Sequence, residues 1–176
     1  MRNMRLKNTV LSAMFICVGL ILPFFTGQLK QIGNMLLPMH IPVMLCGFIC
    51  GPWFGFVTGF VLPVMRSALF SMPVMYPNAV AMAFELSVYG FVTGFIYMHS
   101  KKTVLSVYIS LVSAMVLGRI IWGIVWTSIL GLGNYTWQMF MTGAVYNSIP
   151  GIIIQLVIIP ILVTGIKKIN TQSKRG

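Results

Sequence analysis

Long apolar stretches, separated by short polar or proline-containing stretches, run along the whole of this chain. A helix needs about 20 apolar residues to cross the ~30 Å hydrocarbon core of a bilayer. Five stretches meet or approach that length, at residues 9–25, 53–70, 79–98, 104–130 and 141–166. A sixth, at 40–50, could span only with neighbours or with a distorted end. The pattern predicts an all-α integral membrane protein with six transmembrane helices in a compact bundle.

The polar stretches between these segments are short, so the chain is predicted to form one membrane domain over residues 1–176. "TGQLKQIGN" and "SMPVMYPN" predict loops at about 26–37 and 71–78, and Gly51-Pro52 predicts a tight turn between the second and third segments. Residues 1–8 and the polar tail 167–176 lie outside the apolar segments.

The charged residues support a membrane location and suggest an orientation. Charged residues make up only 7% of the chain, whereas soluble domains carry about 25%. Nine basic residues would lie on the side of the two termini, and Lys30 alone on the other side; the nine are Arg2, Arg5, Lys7, Lys101, Lys102, Lys167, Lys168, Lys174 and Arg175. By the positive-inside rule, both termini are predicted to be cytoplasmic. Because the basic residues form no single patch, no nucleic-acid partner is expected.

Three charged residues fall inside apolar segments, where charge is costly and often marks a functional site. Arg66, Arg119 and Glu85, the only acid of the chain, should lie in the outer half or near the midplane. One carboxylate compensates one guanidinium, so the surplus cation would suit an anionic ligand such as a carboxylate. Alternatively, Arg119 and Glu85 form a pair that only holds helices together, and Arg66 extends to the outer interface.

Further polar and aromatic residues gather on the predicted outer side: Asn34, His40, Tyr76, Asn78, Trp122, Asn147 and Gln155. Aromatic residues at that height can also form an ordinary interfacial belt. Asn147 and Gln155 carry buried amides, which need partners. The sequence therefore predicts a small-molecule pocket that opens outward, with few fixed polar groups.

Small residues at helical spacing predict close helix contacts. Gly55 and Gly59 are expected to pack inside the bundle, as is the pair Gly90-xxx-Gly94. Thr9, Ala13 and Cys17 form a similar stripe on the first segment, which could equally face another protein.

Motifs for catalysis or ATP binding are absent from the sequence. It contains no G-x-x-x-x-G-K-[ST] phosphate loop, so it cannot use ATP by that route. One acid and two histidines exclude H-E-x-x-H zinc sites and sites with two carboxylates. We expect a protein that is not an enzyme and holds no metal or cofactor.

Four stretches resemble one transporter family: "MLLPMHIPVMLCGFICGPWFGFVTGFVLP", "MYPNAVAMAFELSVYGFVTG", "GRIIWG" and "IPGIIIQLVIIPIL". They are similar to the substrate-specific S component of energy-coupling factor (ECF) vitamin transporters, from about Ser12 to Leu162. The resemblance implies a bacterial plasma-membrane protein that binds a vitamin or related micronutrient on its outer side. It also implies partners, namely a transmembrane coupling protein and two cytoplasmic ATPases. Among vitamins, the surplus cation favours one with a carboxylate, pantothenate first.

The resemblance also suggests roles for particular residues. Ala13-xxx-Cys17 matches the A-x-x-x-A pattern that contacts the coupling protein, with cysteine in place of the second alanine. Loops 26–37 and 71–78 match those that cover the ligand. His40 then follows the first loop between Pro38 and Pro42, and could bond the backbone freed by these prolines or the ligand; we favour the backbone. The alternative function is a structural or assembly module of the membrane without a transported ligand.

Overall fold

A computed structural model describes residues 2–25, 37–131, 137–144 and 148–172 of the chain. Within these ranges the chain is almost entirely helical. The α-helices are α1 (Arg2–Phe25), α2 (His40–Cys50), α3 (Pro52–Phe70), α4 (Val80–His99), α5 (Val104–Leu130), α6 (Trp137–Ala144) and α7 (Ile149–Gln172). A single wide helical turn, Met75–Ala79, leads into α4.

Five helices of the described chain are long and apolar enough to cross a membrane. Their spans are Met4–Phe25, Pro52–Phe70, Met75–His99, Val104–Ile129 and Ile149–Lys167. Their length and apolar character agree with the predicted all-helical membrane bundle.

The short helix α2 lies in the middle of the bundle. Its 11 residues extend over only about 16 Å, roughly half the thickness of the hydrocarbon core. Nearly all of its side chains are buried, and it contacts α1, α3, α4 and α7. A helix that is apolar all round lies either in lipid or in the core of a protein, and neighbouring helices enclose α2. Because α2 packs as a core helix, its length need not match the thickness of the bilayer.

The long helices and α2 alternate in direction along the chain, so the bundle has two distinct ends. At one end, the Asn8 amide donates to the Cys50 carbonyl (3.1 Å), and the Lys167 ammonium donates to the Lys102 carbonyl (2.7 Å). We call this the Cys50 end. At the opposite end, the His40 end, α1, α3 and α5 finish, and α2, α4 and α7 begin.

Two of the predicted segments have different bounds in the structure. The first helix begins at Arg2 rather than at residue 9, because a helix can continue past its apolar part and dock there through polar side chains. The predicted segment 141–166 is wrong: α6 ends at Ala144 and α7 begins at Ile149. Pro150 in the first turn of α7 explains the second start, since proline suits a helix N-terminus and its ring clashes with a preceding turn.

Five glycines bring α2, α3 and α4 into backbone contact. They are Gly47, Gly55, Gly59, Gly90 and Gly94, which we call the glycine seam. A Cβ atom on Gly55 would lie 2.8 Å from the Gly47 Cα and 2.7 Å from the Gly90 carbonyl carbon, distances that real Cβ contacts do not reach. The predicted close packing at Gly55, Gly59 and Gly90-xxx-Gly94 is confirmed.

Candidate functional site

Four helices each place one buried side chain in an apolar layer of the core. These side chains are Met44 on α2, Tyr89 on α4, Met115 on α5 and Ile159 on α7. α5 runs toward the His40 end, so the residue one turn nearer that end is four positions later in the sequence. α2, α4 and α7 run away from the His40 end, so on these helices the residue one turn nearer it is four positions earlier.

The four positions one turn nearer the His40 end are all polar. They are His40, Glu85, Arg119 and Gln155, which we call the polar layer. His40 and Gln155 are each 1% exposed, Glu85 2% and Arg119 14%. All four are candidate ligand-binding residues predicted from the sequence; contacts join His40, Glu85 and Arg119, and helix spacing places Gln155 at the same level.

Glu85 is the centre of the polar layer. Its Oε1 atom lies 3.0 Å from Nη1 of Arg119, forming an ion pair between α4 and α5. The same oxygen accepts a hydrogen bond from the Tyr89 hydroxyl (3.0 Å), and Nε2 of His40 lies 3.8 Å from it. The single acid of the chain is thus held by a guanidinium and a phenol, and its charge is compensated inside the bundle.

Tyr89 belongs to this arrangement, and the sequence analysis missed it. Its ring packs directly on Gly118 of α5, where a Cβ atom would lie 2.7 Å from the Tyr89 Cδ1 atom. The missing side chain at Gly118 lets the ring approach α5, and the hydroxyl then reaches Glu85. The available signal was the spacing, because residues four apart on a helix share a face.

Within the described part of the chain, several buried nitrogen atoms of the polar layer have no hydrogen-bond partner. They are Nδ1 and Nε2 of His40, Nε and Nη2 of Arg119, and Nε2 of Gln155. An unpaired buried polar group costs about 1–3 kcal/mol, so such groups are rare in the interior of a protein. Their concentration in one layer, most of them donors, suits a ligand that supplies acceptor atoms.

The hydrogen bond that we favoured between His40 and the backbone is wrong for the part of the chain described. Neither ring nitrogen has a hydrogen-bond partner, and the ring lies instead 5.2 Å from the Tyr89 ring, between centroids. The backbone satisfies itself locally, because the His40 N–H donates to the Leu37 carbonyl (3.1 Å). The His40 side chain therefore faces Glu85, with Nε2 3.8 Å from its Oε1 atom, rather than the backbone.

Comparison with protein families identifies the family of this bundle. A family model described as "ECF transporter, substrate-specific component" matches residues 7–163, most of the chain. The chain belongs to this family. Neither the curated proteins nor the solved structures include a significant match to it.

ECF substrate-specific components are transport subunits of the cell membrane. They work with a coupling protein and ATPase components, and they bind the substrate themselves. Family membership and the five apolar helices together make this chain a multi-pass cell-membrane protein of that kind.

Within this ECF component, Arg66 lies apart from the polar layer. Its Nη1 donates to the Leu20 carbonyl (2.6 Å), and its guanidinium carbon lies 5.1 Å and 5.6 Å from the ring centroids of Phe24 and Phe70. These contacts tie α3 to α1. The surplus positive charge of the membrane segments is therefore at Arg66, while Arg119 and Glu85 cancel formally. The net-charge argument for a carboxylate ligand does not apply to the polar layer itself.

The other candidate ligand residues lie toward the His40 end or outside the described ranges. Trp122 follows Arg119 by three residues, so it lies about one turn nearer that end, where its ring packs on α6, 6.3 Å from the Phe140 ring. Tyr76 and Asn78 are exposed on the wide turn before α4. Asn34, Asn147 and the first predicted covering loop, 26–37, except Leu37, fall outside the described residues, whereas the second, 71–78, lies within them.

The candidate partner contact of the ECF component lies on the surface of α1. Thr9, Ala13 and Cys17 are all exposed, whereas Ser12 and Gly19 face the bundle. Cys17 carries a free thiol. The stripe is therefore accessible to another membrane protein.

Proposed function

We propose that this subunit captures a vitamin or related micronutrient in the polar layer and delivers it inward with its ECF partners. The observation that carries the proposal is the group of unpaired buried nitrogens on His40, Arg119 and Gln155. They come from three helices and lie one turn above an apolar layer. A mostly apolar site with a few fixed polar groups is the usual form of a small-molecule site.

The distribution of charge supports an orientation in which the His40 end faces outward. Arg5, Lys7, Lys101, Lys102 and Lys167 are exposed at the Cys50 end of the bundle. By the positive-inside rule this end is cytoplasmic, as are both termini. The polar layer then lies nearer the outer side, where a captured nutrient arrives.

Pantothenate is the first ligand to test. Its carboxylate can accept hydrogen bonds from the unpaired nitrogens of Arg119, and its hydroxyl and amide groups can bond His40 and Gln155. Trp122, one turn nearer the His40 end, offers an aromatic surface above the layer.

The test uses the full chain purified in detergent or nanodiscs. Mass spectrometry identifies small molecules that co-purify, and thermal unfolding measures stabilisation by each member of a vitamin panel. A ligand that binds only the folded state raises the unfolding temperature with its concentration. We expect one vitamin to do so. A ligand-free protein that no vitamin stabilises would instead favour a structural membrane module.

A further inference from the structure

The guanidinium of Arg119 offers one edge to the protein and leaves another edge unused. Nη1 binds Glu85, whereas Nε and Nη2 are buried and have no hydrogen-bond partner among the residues that the structure describes. The N–H groups of Nε and Nη2 point nearly parallel from one edge of the rigid guanidinium plane. That edge matches two acceptor atoms lying side by side in the same plane.

The contacts around Arg119 fix the direction of this edge. Glu85 holds Nη1 at 3.0 Å and is itself held by the Tyr89 hydroxyl at 3.0 Å. Tyr89 in turn packs on Gly118, the residue before Arg119. The guanidinium is thus part of a closed set of contacts between α4 and α5, and it needs little reordering when a ligand binds.

We infer that Arg119 recognises a pair of coplanar acceptor atoms on the ligand through Nε and Nη2, with Glu85 as a positioning residue. This inference rests on the proposed function and narrows its substrate class. A carboxylate carries such a pair, and so does a heterocyclic carbonyl beside an unprotonated ring nitrogen. Because Arg119 and Glu85 cancel formally, the layer selects the geometry of the acceptors rather than negative charge.

Matched ligands test the inference on the unmodified protein. Pantothenate, biotin and nicotinate are compared with pantothenol, biotinamide and nicotinamide, in which the carboxylate is replaced by an alcohol or by a carboxamide. Riboflavin and a pterin supply neutral rings with a carbonyl beside a ring nitrogen, and thiamine and pyridoxamine are cations without the pair. We expect the bound ligand to carry the pair. If it is an acid, we expect its partner to bind about tenfold more weakly or worse.

A substitution that keeps the charge tests the geometry. Arg119→Lys retains a cation for Glu85 but removes the two-donor edge, so affinity for the acceptor-pair ligand should fall about tenfold or more. Arg5→Lys, an exposed position at the Cys50 end, is the matched control and should leave affinity unchanged. Unfolding temperatures without ligand show whether each variant is folded.

The outcomes separate this inference from the proposed function. Three results would each overturn the acceptor-pair inference but still leave a ligand-binding subunit. They are tight binding of thiamine or pyridoxamine alone, equal binding of both members of a matched pair, and full affinity in folded Arg119→Lys. No co-purified molecule and no binding by any vitamin would overturn the proposed function, and the inference with it.

Discussion

The glycine seam and the polar layer both lie in the interior, but they differ in how completely they are satisfied. In the seam, α2, α3 and α4 meet backbone to backbone, with no room for a single added Cβ atom. In the polar layer, one carboxylate oxygen of Glu85 holds a guanidinium and a phenol, while nitrogens of His40, Arg119 and Gln155 have no hydrogen-bond partner among the described residues.

This difference suggests a division of labour. In lipid, helices associate mainly through close van der Waals packing and interhelical hydrogen bonds, which the seam maximises around α2. A seam packed this tightly can compensate for a neighbouring region whose polar groups are left for a ligand. Substitutions in the seam should therefore change stability, whereas substitutions in the polar layer should change recognition and should also cost stability where they break a contact of Glu85.

A large loss of stability is expected in the seam. Gly90→Ala would place a methyl group against the backbone of Gly55, with its Cα at 2.9 Å, so the helices must separate. Overpacking of this kind costs about 1–3 kcal/mol or more. We expect little folded protein, or a strongly lowered unfolding temperature. Gly165→Ala is the matched control, because a Cβ atom there meets nothing within 4 Å. Equal stability of the two variants would refute the role of the seam.

The ion pair allows stability and binding to be separated. Glu85→Gln leaves the buried cation of Arg119 without a counter-charge and should cost about 3–5 kcal/mol. Adding Arg119→Met in the same chain removes that cation, and replacing a buried pair by neutral groups is often harmless. The double variant should therefore recover stability, measured by thermal unfolding, without recovering ligand affinity.

The same double variant distinguishes the two functions considered from the sequence. If the Glu85–Arg119 pair only holds helices together, the double variant should regain stability and should bind ligand no worse than the unmodified protein. A double variant that still binds the vitamin would place the ligand elsewhere in the bundle.

A smaller effect is expected at Tyr89. Tyr89→Phe keeps the ring on Gly118 but removes the hydrogen bond to Glu85, which should cost about 1.5–3 kcal/mol, the usual range for a bond to a charged group. Tyr97→Phe, about two turns further along α4, is the control, since among the described residues the Tyr97 hydroxyl has no hydrogen-bond partner and only the backbone carbonyl of Tyr97 accepts one. Thermal unfolding of both variants gives the comparison. A larger loss at Tyr97 would mean that ring packing, not the bond to Glu85, determines the cost.

The contrast between seam and polar layer also explains what the sequence could predict. Glycine spacing is a local pattern, so the contacts of Gly55, Gly59 and Gly90 could be foreseen. Glu85 and Arg119 could be predicted as members of a functional site because charged side chains are costly in lipid. Pairing across helices was harder, because it depends on the vertical offset of each helix. The position of Arg66 beside Leu20 illustrates this, since its depth alone did not reveal its neighbours.

Two local features were also beyond the pattern of apolar residues. Tyr89 resembles any other core aromatic until its hydroxyl is placed beside Glu85. The predicted segment 141–166 contains parts of both α6 and α7, and Asn147, Ser148 and Pro150 are the residues of the sequence that indicate the new start. Hydropathy gives the presence of helices well, but their ends depend on single residues.

The smallest change in stability is expected for a substitution on the exposed face of α1, outside the glycine seam and the polar layer. Ala13→Phe adds a large ring to the stripe of small residues that we propose for the coupling protein. Because Ala13 is exposed, stability should change by no more than about 0.5 kcal/mol, and vitamin affinity should stay the same. Close helix approach to the coupling protein would be blocked, so that protein should no longer co-purify when the two are expressed together.

Val18→Phe is the control for this face, since Val18 is also exposed but lies five residues further along, about 140° around α1. It adds similar bulk on a side that the stripe does not include, and co-purification should persist. Equal co-purification in both variants would show that the partner does not approach along Thr9, Ala13 and Cys17. Loss of vitamin binding in Ala13→Phe would show that this face is linked to the polar layer, and the separation of packing, recognition and assembly would fail.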